Sequence, residues 1–297
     1  MNKYISGERS PEIMIASILH DGRIIHDRPT QVEFNELRDK LDTDSKLRES
    51  LRSLLFVAPT ATGKTRILGN NIIRKINQMI QVLSSGPHHK KVSIVMANTP
   101  DLINQLALDI GQQLKHELPS SIKYRLVQWG GAQSEKMTAH ELSQLIENSD
   151  VPVVLFTSSQ TLASRVKSDA EMKALLHFAN SINIDEAHNS GGETFKRVMR
   201  IGLEVATEDR ATPSGILTSL DILGSTASPL SRTERTVEIF DRSYWASIDS
   251  PGKFAQSVTQ GAETGKNSPK NVLEWVKISE QYRNARLRGE ITAPKEV

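Results

Sequence analysis

Leu54-Leu55-Phe56-Val57-Ala58-Pro59-Thr60-Ala61-Thr62-Gly63-Lys64-Thr65 is the stretch that decides the fold. Its first four residues are an uninterrupted apolar run, which predicts a short buried strand, and residues 66–82 carry helical periodicity. Between them lies the spacing of a phosphate-binding loop. In such a loop backbone N–H groups and a helix N-terminus meet phosphate, a lysine reaches the β- and γ-phosphates, and a hydroxyl meets Mg²⁺. The strictest form opens on Gly where this chain has Ala58, but Gly63, Lys64 and Thr65, which carry the chemistry, are all present.

Far downstream a second apolar run, Ile182-Asn183-Ile184, ends in Asp185-Glu186-Ala187-His188. Two adjacent carboxylates at the end of a strand complement the loop. Asp185 suits a metal directly or through water, and Glu186 suits the orientation or deprotonation of an attacking water. Between and beyond the two motifs, strand signals at 92–97, 124–128, 151–156, 181–184 and 222–225 alternate with helical signals at 101–116 and 134–147 and with the polar 158–169 region. That alternation predicts an α/β fold, a mainly parallel sheet with helices on both faces, in which ligands collect at the carboxyl ends of strands. Residues 33–51 also have helical spacing, and residues 12–27 hold two apolar runs around Asp21-Gly22, a hairpin signal with a short helix as its rival. The polar stretch 208–219 reads as an excursion between elements. Three segments are expected: an N-terminal extension over 1–27, a nucleotide-binding body over 28–247, and a Gly/Ser/Pro-containing linker with a helix at 271–288 over 248–297.

Composition bounds the chemistry further. In 297 residues, 37 Lys and Arg oppose 35 Asp and Glu, a formal charge of +2, so any nucleic-acid surface must be local rather than a bulk field. No cysteine is present, which removes disulfides, thiolate metal sites and cysteine nucleophiles together. Neither a signal-peptide core nor an apolar run of about 20 residues occurs, which predicts a cytoplasmic protein with no membrane partner. His88-His89 beside Lys90-Lys91 reads as a solvated turn, Arg283, Arg286 and Arg288 as a solvated helix face, and Trp129, Trp245 and Trp275 are too scattered for a base-stacking platform.

Asp185-Glu186-Ala187-His188 is spelled as in motif II of the DEAD/DEAH-box helicases and translocases of superfamily two, and residues 58–65 resemble their motif I, in which Ala or Gly opens the loop. Gly224-Ser225-Thr226-Ala227-Ser228-Pro229 resembles motif III, and Arg28-Pro29-Thr30-Gln31 resembles an element upstream of motif I in the restriction-enzyme branch, similar to type III restriction subunits. Thr99, Leu102 and Gln105 match motif Ia, from which Asn98 and Pro100 depart, removing an expected arginine. Gly130-Gly131 resembles the family's glycine pair, and the segment beginning at Thr157 resembles motif Ib.

The resemblance implies a three-layer RecA-like P-loop NTPase domain that uses ATP and Mg²⁺. It implies ATP contacts from Pro59, Thr60, Ala61, Thr62, Gly63, Lys64, Thr65 and Arg66, with Gln31 reading adenine. Metal contacts fall to Thr65 and Asp185, and hydrolysis to Lys64, Asp185 and Glu186. His188, Ser225 and Thr226 would couple hydrolysis to nucleic acid held by Thr99, Gly130, Gly131 and Thr157, with DNA ahead of RNA as the partner. It covers one lobe of a two-lobed engine, which leaves three readings open: a truncated gene, a split enzyme whose second lobe is on another chain, or a lobe that works in trans in an oligomer; the other lobe would carry the arginine finger that accelerates such reactions roughly 10³- to 10⁵-fold, and alone, hydrolysis would be slow. Two alternatives stay open: a nucleotide-binding regulatory module without motor action, and a P-loop ATPase that does not act on nucleic acid.

Overall fold

A computed structural model of the chain describes residues 29–43, 51–58, 63–83, 90–130, 137–189, 192–211, 219–227 and 240–245. The hairpin signal at 12–27, Pro59, Thr60, Ala61 and Thr62 of the loop, Gly131, the His88-His89 pair and the C-terminal helix lie outside the described residues.

In chain order the elements are α1 (Pro29–Thr43), β1 (Ser53–Val57), α2 (Lys64–Leu83), β2 (Val92–Ala97), α3 (Pro100–Glu117), β3 (Arg125–Trp129), α4 (Ala139–Glu147) and β4 (Val153–Ser158). There follow α5 (Ser159–Arg165), α6 (Asp169–His177), β5 (Ala179–Ile184), a 3-10 turn (Ala187–Asn189), α7 (Glu193–Arg210), β6 (Asp221–Thr226) and β7 (Arg242–Trp245). The fold is α/β, and β3–β4, β4–β2, β2–β5 and β1–β7 all pair parallel. Every residue of β1, β2, β4, β5 and β6 is buried, as parallel strands covered on both faces require.

Two compact units divide the chain. Among the described residues, the first takes Leu68–Asp185 and Gly192–Ile222, with strand order β3–β4–β2–β5–β6. The second takes the described residues up to Ile67, those of 186–191 and those from Leu223 onward, with order β6–β1–β7.

In the first unit the strands are aligned so that Met96, Trp129 and Thr157 lie side by side at the carboxyl ends of β2, β3 and β4. Beneath α2 the packing is polar. Asn71 Nδ2 donates to Asn183 Oδ1 at 2.7 Å, and Asp221 takes Lys75 Nζ at 2.5 Å and Arg210 Nη2 at 2.8 Å. These buried polar groups are paired with one another, the condition under which such groups are tolerated. In the second unit β1 packs on α1, with the rings of Phe34 and Phe56 edge to face at 4.9 Å between centroids. Asp241, just before β7, accepts from the Arg52 amide at 2.8 Å, the Ser53 amide at 3.1 Å and the Arg52 guanidinium at 3.0 Å.

Several expectations shift. The helix expected over 134–147 starts at Ala139, because Thr138 caps it in a reciprocal box with Glu141. Helix α7 ends at Arg210, so residues 208–210 are its last turn rather than an excursion. Lys90 is not in a solvated turn; its Nζ lies 2.8 Å from Asp209 Oδ2, and Lys91 Nζ donates to the Ser149 carbonyl at 2.9 Å. No described helix is long and apolar enough to cross a membrane.

Candidate functional site

In the second unit the two halves of the nucleotide motif close into a ring of contacts. The Ala58 amide, where the phosphate loop leaves β1, donates to the Thr226 carbonyl at 3.0 Å. Thr226 Oγ1 lies 3.0 Å from His188 Nδ1, and His188 Nδ1 lies 3.0 Å from Glu186 Oε2. Glu186 Oε1 lies 3.9 Å from Lys64 Nζ, which returns the ring to the far end of the loop. A carboxylate only accepts, so the Nδ1 facing it carries the imidazole proton. Lys64 is 8% exposed, and its ammonium is aimed inward by the start of α2.

Two backbone features hold this ring in shape. Glu186 has φ +49°, a left-handed conformation that costs a side-chain-bearing residue about 1–2 kcal/mol. The turn sets its carboxylate between a cation and an imidazole. Gly63 has φ +84°, and a Cβ there would collide with Gln31 Nε2, which donates to the Gly63 carbonyl at 3.1 Å. Gln31, on α1 and almost fully buried, is therefore seated on the backbone of the loop.

Thr65 and Arg66 are half-buried in the first turn of α2, and Ser225 is fully buried in β6 beside Thr226. Asp185, at the end of β5, is half-buried, and its amide donates to the Met96 carbonyl at 2.9 Å. The Thr65 hydroxyl in the second unit and the Asp185 carboxylate in the first are each a hard oxygen donor of the kind that suits Mg²⁺. Among the described residues, no group of three or more His, Cys, Asp or Glu side chains could hold a metal ion.

The first unit brings Thr99, Gly130 and Thr157 to neighbouring strand ends. Thr99 is exposed and caps α3, its hydroxyl accepting from the Leu102 amide at 3.3 Å. Gly130 has φ +112°, and its missing side chain leaves room for the Thr161 hydroxyl. Thr157 differs from the other two. It is 0% exposed and its hydroxyl has no hydrogen-bond partner, so this group does not face solvent as the strand stands.

Sequence reading passed over what anchors this corner. Trp129 Nε1 donates to the Met137 carbonyl at 2.8 Å, Arg165 donates to the same oxygen at 3.1 Å, and its guanidinium lies 5.6 Å over the Trp129 ring. Trp129 is buried, so it offers no face for stacking. Gln128 Nε2 donates to Asn104 Oδ1 at 2.5 Å, joining β3 to α3. Neither link has a local signature, since its partners are 8 to 36 residues apart in sequence.

The DEAD/DEAH box helicase family matches residues 44–234, well over half of the chain and a span that contains the loop, Asp185 to His188 and Gly224 to Pro229. Among solved structures, the UvsW helicase from bacteriophage T4 is similar at 16% identity and TM-score 0.44, over 74% of this chain and 60% of that one. The DUF1998 helicase MrfA is similar at 12% identity and TM-score 0.45, over 95% of this chain and 41% of that one. The chain thus spans 60% and 41% of the length of these two proteins. No curated protein matches. With an α/β fold of RecA-like type, the chain belongs to the DEAD/DEAH box helicase family.

Proposed function

We propose that this lobe binds Mg-ATP and hydrolyses it, and that the cycle changes its grip on a nucleic-acid strand. The observation that carries this reading is the closed ring Ala58–Thr226–His188–Glu186–Lys64. Lys64 is poised for the β- and γ-phosphates, and the phosphates displace Glu186 from it. Glu186, released from the lysine but still held by His188, orients the attacking water. Thr65 and Asp185 hold Mg²⁺, which neutralises charge developing on the phosphoryl oxygens. Gln31, fixed against Gly63, reads the adenine edge. Pro59, Thr60, Ala61, Thr62 and Arg66 complete the loop's contacts.

His188 is the sensor. It is bonded to both Glu186 and Thr226, so a change at the phosphate reaches β6 through one imidazole. Thr99, Gly130 and Gly131 hold the strand through a hydroxyl and backbone amides, contacts that position nucleic acid without reading its sequence. Thr157 joins them once its buried hydroxyl is uncovered. A second lobe on another segment or chain supplies the arginines that raise turnover.

A second reading, a nucleotide-binding module without motor action, is favoured by the buried Thr157 and by Asn98 and Pro100 in place of the usual motif Ia residues. Steady-state ATP hydrolysis with and without single-stranded DNA, RNA and duplex, beside Glu186→Gln and Lys64→Ala, separates the two. Stimulation by nucleic acid, lost in Glu186→Gln, supports the motor reading. Tight ATP binding without turnover under every condition supports the module, and turnover indifferent to nucleic acid supports an ATPase with another task. If Lys64→Ala binds ATP like the parent chain, the phosphate-loop assignment fails.

A further inference from the structure

We infer that Asn71 and Asn183 are positioning residues for Asp185: the buried bond between their amides fixes where the end of β5 lies beneath α2, and with it the carboxylate that meets Mg²⁺. The inference rests on the metal role proposed above and names what holds that ligand in place. Every residue of β5 is buried, yet Asn180, Ser181 and Asn183 are polar. Asn183 stands two residues before Asp185, and the ladder to β2 continues through the Asp185 amide, so the two side chains leave the strand on the same face.

The sense of each bond is forced. Asn183 lies against the Ile94 carbonyl, which only accepts, so its Nδ2 faces that oxygen at 3.2 Å and also donates to Ser181 Oγ at 3.1 Å. Its Oδ1 is thereby turned to α2, where it accepts from Asn71 Nδ2 at 2.7 Å. Asn71 is left presenting Oδ1 to Arg74 Nη2, also at 2.7 Å, and a guanidinium only donates. Neither amide can turn over without setting like groups against each other. A second tie lies one helical turn further along α2. Strand β5 pairs Val92 with Ala179 but Ser93 with Ser181, which makes Asn180 the extra residue of a bulge. Its Oδ1 accepts from Ser93 Oγ at 3.1 Å, and its Nδ2 donates to the Lys75 carbonyl at 3.5 Å.

As cohesion alone these amides are a poor choice. A neutral hydrogen bond adds little net stability, and an apolar pair of the same shape would hold helix to strand as well. Apolar contact is non-directional, however, and would let α2 slide along β5 with little change in buried area. Hydrogen bonds weaken steeply with angle and distance, so a chain of them whose sense is fixed admits one register. A ligand for Mg²⁺, which demands near-ideal octahedral geometry, needs that register.

The test uses the full chain and a fluorescent non-hydrolysable ATP analogue, titrated with Mg²⁺, beside the same binding in EDTA and urea unfolding. In Asn71→Ala, and in the pair Asn71→Leu with Asn183→Leu, the Mg²⁺ midpoint should rise roughly ten-fold or more, the scale on which partners behind a metal ligand act, while affinity in EDTA stays within about two-fold. The leucine pair should keep the urea midpoint of the parent without recovering the Mg²⁺ midpoint. Ile182→Val loosens the opposite face of β5, where Ile182 packs toward Gly202 of α7, and should lower the urea midpoint without moving the Mg²⁺ midpoint. A Mg²⁺ midpoint unchanged in both asparagine variants overturns the inference and leaves the nucleotide reading standing. An equal shift in Ile182→Val also overturns it, since loosened packing would act in that way. A parent whose binding ignores Mg²⁺ overturns the inference and the metal role of Asp185 together, and a parent that does not bind the analogue overturns the phosphate-loop reading as well. If the leucine pair does not fold, Asn71→Ala decides alone.

Discussion

Gly224→Ala tests whether β6 and the turn that carries His188 work as one device. A Cβ at Gly224 would overlap Phe240 Cζ, lie 2.9 Å from Phe240 Cε1 and 3.1 Å from Ala187 Cβ. Ordinary carbon contacts fall at about 3.5–4.0 Å, so Ala187 must give by roughly 0.4–0.9 Å and the Phe240 ring by about 1 Å or more. Phe240 and Ala187 are both fully buried, which leaves neither an easy escape. Overpacking of this kind costs about 1–3 kcal/mol. Ala187 opens the 3-10 turn, so its displacement carries His188, whose two contacts to Glu186 and Thr226 are both 3.0 Å. A shift of roughly 0.5 Å takes them past the usual limit for an N–H···O bond, about 3.2 Å. Lys64 and the Gln31 to Gly63 bond are untouched, so ATP affinity should stay within about two-fold. Turnover should fall roughly ten-fold, equivalent to about 1.4 kcal/mol in the barrier. The assay pairs ATP-analogue binding with steady-state hydrolysis and urea unfolding. Phe240→Leu in the same chain, by trimming the ring, should recover part of both losses, a coupling that a double-mutant cycle reads directly. Parent-like turnover with stability within about 0.5 kcal/mol, the range of a neutral substitution, would refute the argument.

Three further outcomes follow from single sites. Gly63→Ala forces a side chain into φ +84° and against Gln31, so isothermal titration should show ATP affinity reduced about ten-fold or more, from roughly 1–2 kcal/mol of backbone strain plus a displaced hydrogen bond. Asp221→Ala strands Lys75 and Arg210, side chains 3% and 6% exposed, and should cost about 3–5 kcal/mol in urea unfolding followed by circular dichroism; a loss below about 1 kcal/mol would show the cluster to be hydrated. At Asp241, burial pushes the carboxyl up, but the hydrogen bonds from Arg52 and Ser53 and the Arg52 charge more than offset it and hold it below 3.8. Its contribution is therefore present in full above the unfolded value of 3.8 and disappears as pH falls through the lower folded one. Asp241→Asn should be less stable than the parent at pH 7 and should converge with it as pH falls through that lowered folded value; a gap that stays unchanged as the carboxylates protonate would rule out the charged form as the source.

Legibility in the sequence followed the range of the interactions involved. Strand β2 was readable to the residue, because Val92 to Ala97 is apolar but for Ser93 and its neighbours are polar. The loop from Ala58 to Thr65 and the Asp185 to His188 run were readable because their chemistry is local: one turn of backbone sets each geometry. Helix α7 was not anticipated. Its buried positions, Phe195, Val198, Met199, Ile201, Gly202, Val205 and Ala206, keep helical spacing but are diluted by charges that pair across the surface, as Arg197 and Arg200 do with Asp169. Strand β7 was missed because four residues carry no period of their own, and what places them is the register of Leu54 with Arg242 and the anchoring of Asp241 on Arg52 and Ser53.

The same distinction explains why motif spelling names residues without ordering them into a device. Glu186 and His188 are two residues apart, so their pairing is a property of one turn. Thr226 comes 38 residues after His188, and only the fold brings its hydroxyl to the Nδ1 that faces Glu186. A carboxylate in left-handed backbone, a lysine it can release and an imidazole tied to a second strand form a two-position arrangement. On the proposed reading Glu186 neutralises Lys64 in one position, and in the other phosphate would take the lysine and free the carboxylate to act on water. His188 Nδ1 lies 3.0 Å from both Glu186 Oε2 and Thr226 Oγ1, so on that reading a change at the phosphate would reach β6 through one imidazole.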